Sequence, residues 1–491
     1  MHSLFRWVIL AVISSALLLV AIDMTVLYTA LPRLTQDLEA SAVQKLWIVN
    51  AYPLTMAGLL ISMGVLNDRY GAKCFLNIGL LIFGIASVAA AFSVTPEMLI
   101  ASRALLAVGA AAIMPATMVI VRKVFADPAE RSLAIGIWSA VASGGSALGP
   151  VLGGLLLEYF WWGSVFLINV PIIVIAFLFS LKLIPPIAGN KSRVLNIVAA
   201  LQILTGMTAL IFALKELSKS SPQLSIAILS GVSGVIMTGL FVRNQLRSAS
   251  PMLDLTLFSN RYFTTGIIAA MISVACVIGV ELAITQRLQL IILLSPFTAG
   301  LFILPLPLAA FCAGPIVGWL VPFIGSFRAI VFSMLVSATG LGLYLVVFDN
   351  AIWMSVVALA MTGAGLGGAM TAASAAVILN SPEHSSGAAA SLESVAFEFG
   401  GTIGITLLGG LLNVIYSYDI SSVPDLPFWA RDSIDGAIAA SKSLNAEEGQ
   451  ILLSFAESAF MSGFVALLGA SIFMLLFTCA VLGLCKRKFS R

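Results

Sequence analysis

Charge is scarce in this chain. Of its 491 residues only 10% are Asp, Glu, Lys or Arg while 60% are hydrophobic, where a soluble domain carries roughly one quarter charged and about half apolar residues. So little charge excludes the soluble globular class and marks a polytopic membrane protein. Histidine is nearly missing: His2 and His384 are the only two, and neither lies in an apolar run, which argues against a histidine metal site or a His-dependent membrane enzyme. Cysteine is sparse, and Cys74, Cys276, Cys312, Cys479 and Cys485 show neither CxxC nor metal spacing. They read as small buried hydrophobes, so no metal and no cofactor is expected. A net charge of +3 is too small to point to nucleic acid. No Ser/His/Asp constellation suggests a membrane enzyme, and nothing suggests the continuous filter of a channel.

What the chain has in abundance is long apolar runs. Bounded by charge, Pro or Gly clusters, they predict fourteen spans near 7–31, 44–66, 75–93, 97–122, 132–157, 161–184, 194–214, 223–243, 262–286, 296–321, 327–347, 352–379, 387–416 and 458–484. The first is too long, and lacks the small-residue site, for a cleaved signal peptide, so it reads as a retained span. Seventeen Lys and Arg residues fall on the even side of this topology and seven on the other, which predicts both termini in the cytoplasm. The longest hydrophilic segment, about 417–457, is then an acidic, partly helical cap on the outer side.

An internal repeat is visible. Gly64 and Gly71 follow span two with a spacing of seven, and Gly318 and Gly325 follow span ten with the same spacing. If spans nine to fourteen repeat one to six, the chain divides into a six-helix bundle over 1–186, two linker spans over 187–255, and a second six-helix bundle over 256–491. The acidic residue of the first copy, Asp68, is matched by Pro322 in the second.

A few polar residues stand inside the apolar runs. Asp23 lies about sixteen residues into span one with no basic residue within a turn, and a lone carboxylate in hydrocarbon costs about 2.5–3.5 kcal/mol. It must face a watery cavity, be protonated, or be satisfied by Thr25 or Tyr28. Arg103 in span four cannot lose its charge, so it needs a carboxylate, carbonyls or water, or else snorkels to the outer interface. Glu281 in span nine is the repeat counterpart of Asp23 at similar depth, with an interfacial ion partner as the other reading. In span thirteen Glu393 and Glu398 are five residues apart and diverge by about 140° around a helix, so they serve different surroundings. Glu398 is the deeper; Glu393 faces the cytoplasmic vestibule or another helix. Tyr52, Trp138 and Phe397 are candidate partners for a flat cation, against the ordinary reading of aromatics as packing.

The stretch Ser143–Gly154 places Gly145, Gly149 and Gly153 on one bare helical stripe and adds Pro150 in mid-helix, as in a tight helix pair or a hinge. In Gly64-Val65-Leu66-Asn67-Asp68-Arg69-Tyr70-Gly71-Ala72-Lys73 the glycines permit a tight turn, and Asp68 can accept from a nearby helix N-terminus or from Arg131.

Four of these segments, in order, resemble the major facilitator superfamily: the Gly64–Lys73 loop, Asp23 within A-I-D-M-T-V-L-Y-T-A-L-P, Arg103 within R-A-L-L-A-V-G, and the Gly145–Gly153 stripe, which is similar to an antiporter motif. The run Glu393–Gly400 looks like that of QacA/SmvA-like exporters, so the resemblance is to the fourteen-span drug:proton antiporter family. It implies an all-α membrane fold of two six-helix bundles plus two inserted helices, in a bacterial cytoplasmic membrane, without a cofactor and as a monomer. It further implies export of lipophilic organic cations (quaternary ammonium biocides, methyl viologen, dyes) against protons, with Arg103 tied to proton coupling. On this expectation Asp23, Arg103, Glu281 and Glu398 handle the proton. Asp23, Glu281, Glu393, Glu398, Tyr52, Trp138 and Phe397 meet the cation within surrounding lipid. Gly64, Asp68, Arg69, Gly71 and Arg131 form a cytoplasmic lock, and the bundles rock on Gly145, Gly149, Pro150 and Gly153. Span ten carries no acidic residue near Leu304–Ala310, which weighs against dications. An exporter of an endogenous lipid, siderophore or sugar remains the alternative.

Overall fold

The computed structural model describes residues 3–191, 196–217, 222–248, 251–349, 352–382, 385–421, 431, 433–442 and 444–487, with the side chains of residues 3, 28, 32, 42, 43, 46, 146, 147, 150, 296, 297, 439, 446 and 484–487 outside that set. Among the described residues there is no strand, and fourteen long helices follow one another. The first eight are α1 Ser3–Asp37, α2 Ala42–Tyr70, α3 Ala72–Ala91, α4 Pro96–Val124, α5 Pro128–Tyr159, α6 Asn169–Leu183, α7 Ile197–Leu217 and α8 Leu224–Arg247. The remaining six are α9 Arg261–Gln286, α10 Pro305–Ile324, α11 Ser326–Val347, α12 Ile352–Leu379, α13 Ser386–Ile403 and α14 Ala446–Arg487. Among the described residues thirteen stretches are long and apolar enough to cross a membrane. α5 carries the Gly/Ser-rich stretch and lies against α1 and α10. It runs unbroken through Pro150.

Helix ends follow local chemistry. Thr95 and Asp127 cap α4 and α5 by accepting from Met98 and Glu130 backbone N–H groups, each followed by a proline that needs no N–H bond. Gly71 and Gly325 take φ of 98° and 80° between α2 and α3 and between α10 and α11, so both copies of the repeat turn on a glycine in the same manner. α13 passes through a π-helical segment, Gly404–Gly409, before its last part, Gly410–Ile420. α14 begins at Ala446, well before the expected start near 458, because Asn445 caps it through Glu448 N–H at 2.9 Å and Glu447 and Glu448 suit its first turn. A short helix, Ile434–Ser441, also lies within the hydrophilic segment.

One apolar core draws on α1–α6 and continues onto α7, α8, α9, α12 and α13, and a second draws on α9–α14. α7 and α8 pack on each other and α7 lies against α2. With an even number of alternating helices, Ser3 and Arg487 share one end of the bundle, here the terminal end; the other is the distal end.

The two cores meet where side chains are smallest. On one side α2 meets α13, and a Cβ on Gly64 would lie 2.6 Å from the Gly387 carbonyl oxygen. On the other, α5 meets α10, and a Cβ on Gly136 would lie 2.5 Å from the Gly314 carbonyl, while one on Gly318 would lie 2.5 Å from the Ser132 carbonyl. These are backbone-to-backbone seams. The stripe Gly145, Gly149 and Gly153 faces Ala21, Thr25, Val26 and Thr29 of α1 instead. The expectation that the bundles rock on that stripe is therefore corrected: it is a contact within one half. Residues 136, 140 and 144 lie on a different face of α5 from 145, 149 and 153, and that first face looks across to α10.

Gly64→Val should part α2 from α13 at the terminal end. In a cysteine-free background, a cysteine placed at Ser386, now 1% exposed, should react with a membrane-impermeant maleimide faster by about tenfold, the ratio ~1.4 kcal/mol of lost closure gives. An unchanged rate would show that this glycine contact does not hold the seam.

Candidate functional site

The terminal end is joined by charge as well as by close packing. Asp68, at the end of α2, accepts from the backbone N–H groups of Gly387 and Ala388 at 2.8 and 3.1 Å, so a carboxylate of the first half caps the first turn of α13 in the second. Of the two partners expected for Asp68, this is the helix N-terminus; Arg131 donates to the carbonyls of Phe125 and Ala126 at 2.8 and 3.0 Å. Arg122, which reads in the sequence as an interfacial positive charge, crosses the same boundary. Buried at 8% exposure, it donates to Ser381 Oγ at 2.7 Å and Ser386 Oγ at 3.0 Å, and to the Ser381 carbonyl. Arg69 stays local, its guanidinium 5.4 Å from the Tyr70 ring centre. The Gly71 turn is braced by the 184–190 segment: Lys73 donates to the carbonyls of Leu181 and Ile184 at 2.9 and 2.6 Å, and Asn190 N–H to the Asp68 carbonyl at 2.8 Å.

Deeper in the first half lies a buried ion pair. Arg103 Nη1 of α4 is 2.7 Å from Asp23 Oδ2 of α1, with the two side chains 2% and 0% exposed. Asn169 of α6 donates to Asp23 Oδ1 at 3.4 Å and reaches Ser87 of α3 at 3.4 Å. The guanidinium lies 4.6 Å from the ring centre of Tyr52 on α2, so the cation meets a carboxylate and a π face together. Four helices thus meet at one charge pair, and α3 is tied in through Asn169. Among the described residues the Tyr52 hydroxyl, Arg103 Nε and Asn169 Oδ1 are buried without a partner.

This corrects the reading of Asp23 as an acid without a cation, open to a watery cavity. Its cation comes from 80 residues away on another helix, where a search within one helical turn cannot find it. Arg103 does not snorkel.

Glu398 of α13 is half-buried and stands within electrostatic reach of Lys215 on α7 and of the Tyr52 hydroxyl. Lys215 Nζ also donates to Asn50 Oδ1 of α2 at 2.8 Å. Asp23, Arg103, Tyr52 and Asn169 form one contiguous polar group. Glu281 of α9 is half-buried and apart from it; among the described residues its carboxylate has no hydrogen-bond or ion partner. Arg287, the cation nearest to it in sequence, pairs with Asp349 and sits over the Phe348 ring at 4.7 Å.

Of the two settings expected for Glu393, the vestibule or another helix, the structure has the second: it is 2% exposed and accepts from Ser374 Oγ of α12. Trp138 is also internal to the first half, 3% exposed with its indole N–H donated to Thr117 at 3.1 Å. Phe397 packs on the second core. Among the described residues no group of three or more His, Cys, Asp or Glu is placed to hold a metal ion.

Lys215, Asn169 and Arg122 are the contributors the sequence reading missed. Lys215 falls at the predicted edge of span seven and reads as a loop charge, and Arg122 likewise. Asn169, an amide within an apolar run, was the one visible signal.

Residues 13–312 match the sequence profile described as Major Facilitator Superfamily. The chain is 38% identical over 477 residues to the methyl viologen resistance protein SmvA of Salmonella typhimurium, covering 96% of both chains. It is 35% identical over 487 residues to the multidrug efflux pump LfrA of Mycolicibacterium smegmatis, covering 98% of this chain and 96% of that one. In three dimensions it is similar to the human organic anion transporter MFSD10 at a TM-score of 0.64, with 13% identity over 96% of this chain and 99% of the other. At that identity the likeness concerns the fold alone.

The buried pair makes its own prediction. Arg103→Met leaves Asp23 uncompensated and should destabilise the protein by about 3–5 kcal/mol, whereas adding Asp23→Asn to it should recover much of the loss. Thermal unfolding in detergent measures both; losses that simply add would show that the two charges do not depend on each other.

Proposed function

The chain belongs to the major facilitator superfamily, whose members are transporters and not enzymes, and on that premise we propose that it exports lipophilic organic cations across the cytoplasmic membrane in exchange for protons. The observation that carries this reading is the contiguous group Asp23–Arg103–Tyr52, ionisable side chains kept inside a membrane bundle where burying them is costly. Both termini then lie in the cytoplasm, in keeping with the excess of Lys and Arg on the terminal side. The names of the relatives, methyl viologen resistance and multidrug efflux, support a cationic and varied cargo. A lipid, siderophore or sugar exporter would call for hydroxyls and amides in place of these acids.

In this mechanism Glu398 and Glu281 meet the cargo, while Asp23 carries the coupling proton. With Asp23 ionised, the pair with Arg103 ties α1 to α4. A proton arriving from outside neutralises Asp23, releases Arg103 toward the Tyr52 ring and hydroxyl, and removes the attraction that favours one arrangement of the helices. Cation and proton thus favour different conformations, and each excludes the other by linkage. The terminal seams, closed by Asp68 and Arg122, describe the arrangement whose distal side is the one to open. Gly145, Gly149 and Gly153 keep α5 moving with α1, and the seams at Gly64 and Gly136 give way.

Asp23→Asn should uncouple the two flows. In proteoliposomes, lowering the pH on the outer side should drive ethidium out through the wild type. The variant should lose this response by about five- to 150-fold, the usual range of a coupling energy, while retaining downhill ethidium exchange. An intact pH response at equal protein would remove Asp23 from the proton path.

A further inference from the structure

Where α2 faces α13, the two halves touch directly at Gly64 and Gly387 near the terminal end. Toward the distal end a third helix, α7, joins that boundary. Leu54 and Ala57 of α2, Ile211 and Phe212 of α7 and Phe399 of α13 make one small apolar cluster there. Because α7 lies outside both six-helix units, whichever half it accompanies, its contacts with the other cross the surface along which the halves move.

Its contacts with the two halves are unequal. Against α2 it is paired over about three turns. A Cβ on Gly58 would lie 2.5 Å from the Leu204 side chain and 3.1 Å from its carbonyl oxygen, a close approach of two backbones. Thr208 donates to the Leu54 carbonyl at 3.3 Å, the rings of Phe212 and Trp47 stack with centres 6.2 Å apart, and Lys215 donates to Asn50 at 2.8 Å. α8 is fastened to α7 as closely: a Cβ on Gly206 would lie 3.0 Å from Thr238 N, and one on Gly234 2.9 Å from Leu210 N. Ala199 and Ile203 of α7 and Phe241 of α8 belong to the first apolar core, and among the described residues neither helix contributes to the second. On the other side, Thr406 donates to the Leu214 carbonyl at 3.0 Å. Thr406 lies in the π-helical segment Gly404–Gly409 that follows α13, a form that occurs mostly as single turns within α-helices and frequently at functional sites.

We propose that α7 and α8 travel with the first half as one rigid unit, and that the Thr406–Leu214 hydrogen bond is a tie across the moving boundary, so that the seam at Gly64 opens only as this distal tie is released. The inference rests on the reading that the halves rock against each other and is independent of the cargo. A contact inside a rigid unit is the same in both arrangements and cannot bias their equilibrium. A contact across the boundary is made in one arrangement and favours it. The Thr208–Leu54 bond is of the first kind and the Thr406–Leu214 bond of the second, although both join α7 to a neighbour through a threonine hydroxyl and a backbone carbonyl.

The test reads the reaction of Ser386→Cys with a membrane-impermeant maleimide in the purified, otherwise cysteine-free full-length protein. Thr406→Val, which removes the donor, should raise the rate about two- to tenfold, the weight of one hydrogen bond. Thr406→Ser, which keeps the donor, and Thr208→Val, whose bond lies inside the rigid unit, should leave the rate where it was. Thr406→Ala carries the same reading if the valine variant does not insert. A rise with Thr208→Val and none with Thr406→Val would place α7 with the second half and overturn the proposal; equal rises would overturn it too, by showing that α7 belongs to neither unit. Gly64→Val separates the inference from its premise. If Gly64→Val raises the rate and Thr406→Val does not, the tie is overturned while the rocking of the halves stands; if neither raises it, the reading that this seam opens fails together with the tie.

Discussion

A charge cannot stand alone in hydrocarbon, and the interior of this protein is arranged around that constraint. Asp23 and Arg103, almost wholly removed from solvent, lie 2.7 Å apart, and each would be prohibitively costly without the other. Their meeting requires α1 and α4 to be adjacent at one depth, α2 to lay Tyr52 beneath the guanidinium, and α6 to bring Asn169 to the carboxylate. A pair that demands so many neighbours is a weak source of stability but a sensitive one. A single proton alters what all four helices hold in common.

Around that pair the helices are packed by absence of side chain. α5 uses two faces: Gly145, Gly149 and Gly153 against α1, and Gly136 against Gly314 and Gly318 of α10. α13 does the same in the second half, with Gly400 and Gly404 against the Met271 and Ala275 carbonyls of α9 and Gly387 against Gly64 of α2. Each half therefore has one helix that grips its own first helix and touches the second helix of the other half. This two-fold relation accounts for why the glycine-rich runs in α5 and α13 look alike although they share no motif. It also divides their duties, since one face binds within a half and the other lies between halves.

Much of this was legible in the sequence, and what was not has a physical reason. Fourteen helices, the Gly71 and Gly325 turns, and the membrane class follow from apolar runs and glycine spacing. The sequence also singles out Asp23, Arg103, Glu281 and Glu398 as polar residues within apolar runs. The pairing of Asp23 with Arg103 was not legible, because spans three residues apart on one helix are neighbours by geometry whereas α1 and α4 are neighbours only by folding. Gly145 and Gly136 carry the same local signal, and spacing alone cannot say which faces a partner in the same half. Lys215 was hidden by its place at a predicted helix edge, where a cation ordinarily means water. Glu393 illustrates the reverse: an acid in a dense acidic run, spent on a hydroxyl of the next helix.

The two seams at the terminal end are not alike. In the first copy of the repeat Asp68 reaches across to the start of α13, while in the second its counterpart is Pro322 and the start of α5 is capped by its own Asp127. Among the described residues the first seam carries the Asp68 carboxylate on a helix dipole beside the Arg122 guanidinium, and the second is a close contact of backbone and small side chains. Salt and competing ions weaken the former and leave the latter untouched. The end of the bundle that holds the termini thus has one seam, α2 against α13, that dissolved ions can loosen, and another, α5 against α10, that they cannot.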